Sequence, residues 1–277
     1  NSGVINMGTL EVNGTIALTT DGTGDATIVN DDEIDFANST VRGALSATAT
    51  TSHITDTGTL TITGASTFIT RATGSNIELN SSGNAFAAAV TMKAETNGSE
   101  AFGNITFVDS AAVKLHSAAG TNGDLFIDGS TDGAVGGTLS ITATTGDITQ
   151  GLALAVTGAS SFTTSAANGV ITLNNTSNAF ADAVTLSTTG SAAHAIIDNG
   201  TTTLDIAAST VGGNLTLTSG AAAGITDSGN VTVTGNLIAT TNANSGVINM
   251  GTLEVNGTIA LTTDGTGDAT IVNDDEI

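Results

Sequence analysis

The sequence predicts an all-β protein wound as a parallel β-solenoid. Three observations carry that prediction: short runs in which apolar and polar residues alternate, a Gly, Asn or Asp every few residues between the runs, and repetition at more than one length. Alternation is strand periodicity, because successive side chains of a strand point to opposite faces. It is clearest at Leu60/Ile62, Ile77/Leu79, Leu154/Val156, Ile171/Leu173 and Val231/Val233, and these ten side chains are expected to face inward. No stretch offers a sustained helical stripe.

The longest repetition is NSGVINMGTLEVNGTIALTTDGTGDATIVNDDEI, which occupies residues 1–34 and returns letter for letter at 244–277, a period of 243 residues. Packing constrains only the inward half of a strand, yet here the outward residues agree too, so the two stretches are copies of one another. Shorter repeats lie inside the period. GTLTITGASTFIT (58–70) matches LALAVTGASSFTT (152–164) and NVTVTGNLIATT (230–241). NIELNSSGNAFAAAVTMKA (76–94) matches VITLNNTSNAFADAVTLST (170–188), which places Phe86 with Phe180 just as Phe68 falls with Phe162. Each unit closes on a third motif, VRGALSATATTSHITDTG (41–58), VGGTLSITATTGDITQG (135–151) or VGGNLTLTSGAAAGITDSG (211–229).

Gly64, Gly158 and Gly235 mark units of 94, 77 and 72 residues. The expected organisation is one continuous solenoid over 1–277, with sub-repeats at 1–57, 58–151, 152–228 and 229–277. Counting one coil for each leading apolar pair gives about 13 coils per period, with a mean length of 18.7 residues. A coil near 24 residues, ten per period, fits the spacings less evenly.

Composition supports the strand reading. The 277 residues include no Pro, Cys, Trp or Tyr, and a chain committed to backbone ladders has little use for a residue without an N–H. The mean hydropathy of +0.23 argues against disorder despite the wealth of Ser, Thr and Gly. Four Lys and Arg face 26 Asp and Glu, for a net charge of −22, which excludes a nucleic-acid partner and disfavours an anionic membrane surface. No run is long enough to span a bilayer, so no membrane span is expected in this segment.

Candidate sites are few. His53, His116 and His194 lie far apart in sequence with no ligand-spaced partners, as surface or turn residues would. A sugar-cleaving β-helix would need paired carboxylates across a cleft, and the sequence offers no cluster of acids and bases outside its repeats. No enzyme and no required cofactor are expected. Calcium is the one cofactor with a sequence signal: Asp128, Ser130 and Asp132 alternate before Gly133 like the start of a calcium loop, though Leu139 stands where the distal acid belongs. Asp21, Thr23 and Asp25 repeat the oxygen spacing without the glycine. Asp and Gly are equally the ordinary residues of turns. Outward Thr at 61–63, 216–218 and 232–234 is the default exposed strand residue and is too sparse for an ice-binding lattice.

The phrases GNLTLTSGAAAGITDSGNVTVTG and NGVITLNNTSNAFADAVTLS resemble the degenerate repeats of filamentous haemagglutinin-like exoproteins, the surface adhesins exported by two-partner secretion. That resemblance covers essentially the whole chain and rests on compositional rhythm. It implies a right-handed parallel β-helix, an extracellular or cell-surface location, and a structural fibre or an adhesin stalk as the role. The matched ends imply in turn that this is a segment of a longer tandem array, whose partners are further copies of its own repeat.

Overall fold

Runs that alternate apolar and polar residues become strands of two to eight residues, and each strand lies parallel to the strand one coil later in the chain. The fold was described in a computed structural model covering residues 2–94, 103–115, 124–127 and 134–274, and no helix occurs among them. The chain is therefore an all-β solenoid of about 11 turns, and it divides into two compact units, Asn1–Thr144 and Thr145–Ile277.

In the N-terminal unit one sheet stacks Ile5–Leu10, Ala26–Asn30, Leu45–Ala49, Ser66–Thr70 and Val90–Ala94 in that order, followed by Asp124–Ile127 and Val113–Leu115. The facing sheet stacks Thr15–Ile16, Ile34–Phe36, Ile54–Asp56, Ile77–Leu79, Ile105–Asp109 and Leu139–Ala143. A narrow third sheet, Ser39–Val41, Leu60–Ile62 and Ala85–Phe86, turns the corner between them. The C-terminal unit repeats the design. Ile148–Gln150, Ile171–Leu173, Ala195–Asp198, Leu215–Ser219, Leu237–Asn244 and Ile259–Asp264 form one sheet, and Ser160–Ala167, Val184–Thr189, Leu204–Ile206, Ile225–Asp227 and Ile248–Val255 the other.

The expected coil count requires correction. Registers run Ile5, Ala26, Leu45, Ser66, Val90 in one unit and Ile148, Ile171, Ala195, Leu215, Leu237, Ile259 in the other, steps of 19 to 24 residues. Two wider steps, Ile77 to Ile105 and Ile105 to Leu139, fall within the 94-residue unit. The estimate of 13 coils treated each apolar pair as a new coil. Leu60/Ile62 and Ile77/Leu79 instead lie on different sides of the solenoid, at a corner and on a flat sheet. A period therefore holds fewer, longer coils.

All ten side chains expected to point inward are buried. The aromatic rings line up as the sequence repeats require: Phe68 and Phe86 meet edge to face at 6.1 Å, and Phe162 and Phe180 do so at 5.7 Å. Phe36 reaches Phe68 across the core, 6.1 Å between centroids, joining the two sheets of the N-terminal unit. Edge-to-face geometry sets the positive ring edge on the negative face of its neighbour, so shape and charge agree in this narrow interior. The two 34-residue copies fold alike: Ile5 pairs with Ala26 and Ile248 with Ala269, and both pairings break register at the same place, between Met7 and Leu10 and between Met250 and Leu253.

Candidate functional site

Among the described residues, many polar side chains hydrogen-bond to the backbone of a neighbouring coil. A strand that begins after a turn leaves an N–H which no neighbouring carbonyl reaches, and a half-buried N–H without an acceptor costs free energy. Side chains one coil earlier supply the acceptor. His53 Nδ1 accepts from the N–H of Asn76 at 2.9 Å, Asn76 Oδ1 from Asn104 at 2.9 Å, and Asn104 Oδ1 from Thr138 at 2.8 Å. In the C-terminal unit His194 Nδ1 accepts from Asn214, Asn214 from Asn236 and Asn236 from Thr258, at 2.8 to 2.9 Å. His53 and His194 are thus rungs of a ladder, each accepting through Nδ1; His116 lies outside the described residues.

A threonine closes the turn after many long strands. The hydroxyls of Thr20, Thr164, Thr188 and Thr241 donate to the carbonyls of Gly24, Gly169, Ala193 and Gly246 at 2.7 to 3.1 Å. Deeper in the wall, Asn30, Asn199 and Asn273 each accept a backbone N–H from the corner of the preceding coil, from Val12, Phe180 and Val255, at 2.7 to 2.9 Å. Their amide nitrogens donate as well, Asn199 to Phe180 O at 3.0 Å and to Thr203 O at 2.8 Å. Asn199, the first residue of an Asn-Gly-Thr sequence of the N-glycosylation type, is consequently buried and committed to the wall.

One member of this set is an acid. Asp109 takes the place of Asn30 and Asn199 and accepts from Phe86 N–H at 3.3 Å. Burial pushes its carboxyl above the usual carboxylate range, against the hydrogen bonds it accepts from backbone N–H groups. Asp56 behaves likewise: burial raises it, while Asn84 Nδ2 at 2.5 Å and the Asn80 N–H at 2.7 Å pull the other way. Its counterparts in the closing motif are Gln150, which accepts from Asn175 N–H at 3.3 Å, and Asp227, which accepts from Gly251 and Thr252 at 2.8 and 2.7 Å. The ITD and ITQ motifs are therefore devices for holding the turn of the next coil.

The turns considered for calcium divide. Asp128, Ser130 and Asp132 lie outside the described residues. Asp21, Thr23 and Asp25 sit on one exposed turn around Gly22, whose φ of 65° lies in the left-handed region that favours glycine. Asp25 Oδ1 accepts from the Ala44 N–H at 2.7 Å and belongs to the ladder, while the Thr23 hydroxyl lies 3.1 Å from that of Ser2. Among the described residues no group of three His, Cys, Asp or Glu is gathered closely enough to hold a metal ion. Near the N-terminal coil, Asn13, Thr15, Asp32, Glu33 and Asp35 line a shallow acidic depression of about 170 Å³.

Sequence reasoning missed the ladder and the threonine staples. Their signal was present: Asn, Asp or His just before a strand, and Thr four or five residues before the carbonyl it holds.

Laddered coils of this kind, repeated along the chain, define a parallel β-solenoid repeat protein. More particularly, the chain belongs to the family described as repeats of unknown function (DUF5649), whose model matches residues 23–93, 102–187 and 192–250. The matches open just before Ala26–Asn30, Ile105–Asp109 and Ala195–Asp198, the strands that lead to the wall residues Asn30, Asp109 and Asn199. Comparison with curated proteins and with solved structures gives no match.

Proposed function

We propose that this chain is a structural segment of a longer tandem array of 243-residue periods, wound as one continuous solenoid and serving as a non-enzymatic fibre or stalk outside the cell. The observation that carries the reading is the unequal burial of two identical stretches. Met7 is 49 % exposed, with Val4 exposed beside it, whereas Met250 is fully buried beneath the coil that carries Ile225–Asp227. The 34-residue copy is thus a sequence made to be covered on both sides, and a preceding period would cover Met7 as the preceding coil covers Met250.

The use of polar side chains on the backbone supports a structural role over a chemical one. The extracellular location rests on the resemblance to filamentous haemagglutinin-like exoproteins. Denaturing electrophoresis of native material with peptide mapping tests the array: a polypeptide many times 26.9 kDa yielding few distinct peptides is expected. A native chain of 277 residues that is monomeric refutes it. Protease treatment of intact cells tests the location, and only an exposed fibre is shaved away.

A further inference from the structure

Strands that are equivalent in sequence do not lie on the same sheet. Leu45–Ala49 and Leu139–Ala143 occupy the same place in the closing motif, 94 residues apart. Leu45 stands between Ala26 and Ser66 on one sheet of the N-terminal unit, while Leu139 stands beside Ile105 on the facing sheet. Between them the chain passes Ile54, Ile77 and Ile105 on that facing sheet, so the repeat advances by three and a half coils.

The 77-residue repeat does the same. Ser160–Ala167 pairs with Val184–Thr189, but its counterpart Leu237–Asn244 pairs with Leu215–Ser219 and Ile259–Asp264 on the other sheet of the C-terminal unit. Local structure survives the change of sheet, since Thr164 and Thr241 each close the same turn by donating to the carbonyl five residues on. The corner moves with its strand: Ala155–Val156 precedes the one and Val231–Val233 the other.

For the 72-residue repeat the identical copies give the comparison. Leu237 shares a sheet with Ile259, whose counterpart Ile16 lies with Phe36 and Ile54. Ser66, the next strand of Leu237's type in the period, lies on the opposite sheet with Ala26 and Leu45. Three half-integral steps add to a half-integral period.

We infer that the sub-repeat is a half-turn unit, so that consecutive repeats, and consecutive 243-residue periods, present the same outward surface from opposite faces of the solenoid. The physical basis is that both sheets offer an inward strand the same neighbours, an aliphatic core and a sealed turn, so one strand–turn–strand cassette fits either. An array of such periods has two equivalent faces, and a partner that recognises one repeat would be held on both. The extension to an array rests on the proposed function; the half-turn step does not.

The chain has no cysteine, so paired spin labels can be placed at will in the full-length protein. Ser46→Cys with Ser140→Cys tests the N-terminal unit, and Ser161→Cys with Ile238→Cys the C-terminal unit; all four residues lie on outward strand positions. Three and a half coils give about 17 Å along the axis, and facing sheets add about 10 Å plus the outward reach of the labels. Label separations of about 25–30 Å are therefore expected by pulsed electron resonance. Ser46→Cys with Thr91→Cys, two rungs apart on one sheet, should read about 10 Å as a same-face reference. A separation below about 20 Å for either test pair, in a protein with an unchanged strand spectrum, overturns the half-turn unit. If the native chain proves to be a lone 277-residue monomer, these distances stand and only the array is lost.

Discussion

Met7 and Met250 are the same residue of the same 34-residue sequence, yet Met7 is 49 % exposed and Met250 is fully buried. Local sequence is therefore not what buries this side chain; the coil stacked on it is. Truncating a buried Met typically costs about 2–5 kcal/mol, because transfer and cavity terms add, whereas an exposed one loses little. Met250→Ala should lower the unfolding free energy of the 277-residue chain, read from urea denaturation, by such an amount, and Met7→Ala by less than about 1 kcal/mol. Equal losses from the two variants would mean that the coils do not stack as described.

Gly14 and Gly257 form a second such pair. A Cβ on Gly14 meets nothing within 4 Å, while one on Gly257 falls on Asn236 Oδ1 and on the carbonyl of Gly235 in the coil below. Gly257→Ala must push two coils apart or break the rung that Asn236 makes with Thr258. A cost of about 1–3 kcal/mol is expected there, against a neutral or slightly favourable Gly14→Ala. Thermal melts of the two variants decide it.

Asp109→Asn should stabilise the protein at neutral pH. Asn30 and Asn199 show that the site suits an amide, which both accepts from the corner N–H and donates to wall carbonyls. The carboxyl of Asp109 is raised above 3.8 by burial, so its ionisation opposes folding. Its contribution is most favourable below the unfolded value and is lost as pH rises through the raised folded value. Denaturation at pH 7 should show Asp109→Asn more stable by on the order of 1 kcal/mol, with the gap closing as pH falls towards 4. A gap that widens on acidification would contradict the assignment.

Ser66 and Ser160 match one another in the 94-residue shift, and both carry a buried hydroxyl without a hydrogen-bond partner. The third repeat has Leu237 at that place, which shows that the position requires no hydroxyl. Removing an unsatisfied buried polar group relieves its desolvation cost, so Ser66→Ala and Ser160→Ala should each be neutral or stabilising by up to about 1 kcal/mol. A clear loss of stability in either would reveal a partner for the hydroxyl.

Asn199→Ala has the opposite sign. It strips an acceptor from Phe180 N–H and donors from the carbonyls of Phe180 and Thr203, all at a buried position. A loss of about 2–4 kcal/mol is expected in chemical denaturation, several times that of an exposed Asn→Ala. His194→Asn makes a gentler companion, because Oδ1 can replace Nδ1 as acceptor for the Asn214 N–H and keep the ladder whole.

By itself the sequence determined the all-β class, ten inward residues, the equivalence of Phe68 with Phe162 and of Phe86 with Phe180, and the repetition that places the chain in its family. These follow from period-two alternation and from repeated spacing, both local properties that survive in a string of letters. Only the tertiary structure decided the length of a coil, the sheet on which each repeat lies, and the partner of every polar side chain. A strand reads the same on either side of a solenoid, so Leu45 and Leu139 look alike in sequence although they stand on opposite sheets. The Asn, Asp and His rungs bond to residues some twenty positions further on, at a separation set by the coil. No local pattern encodes that separation, because turns of different length carry the same strands.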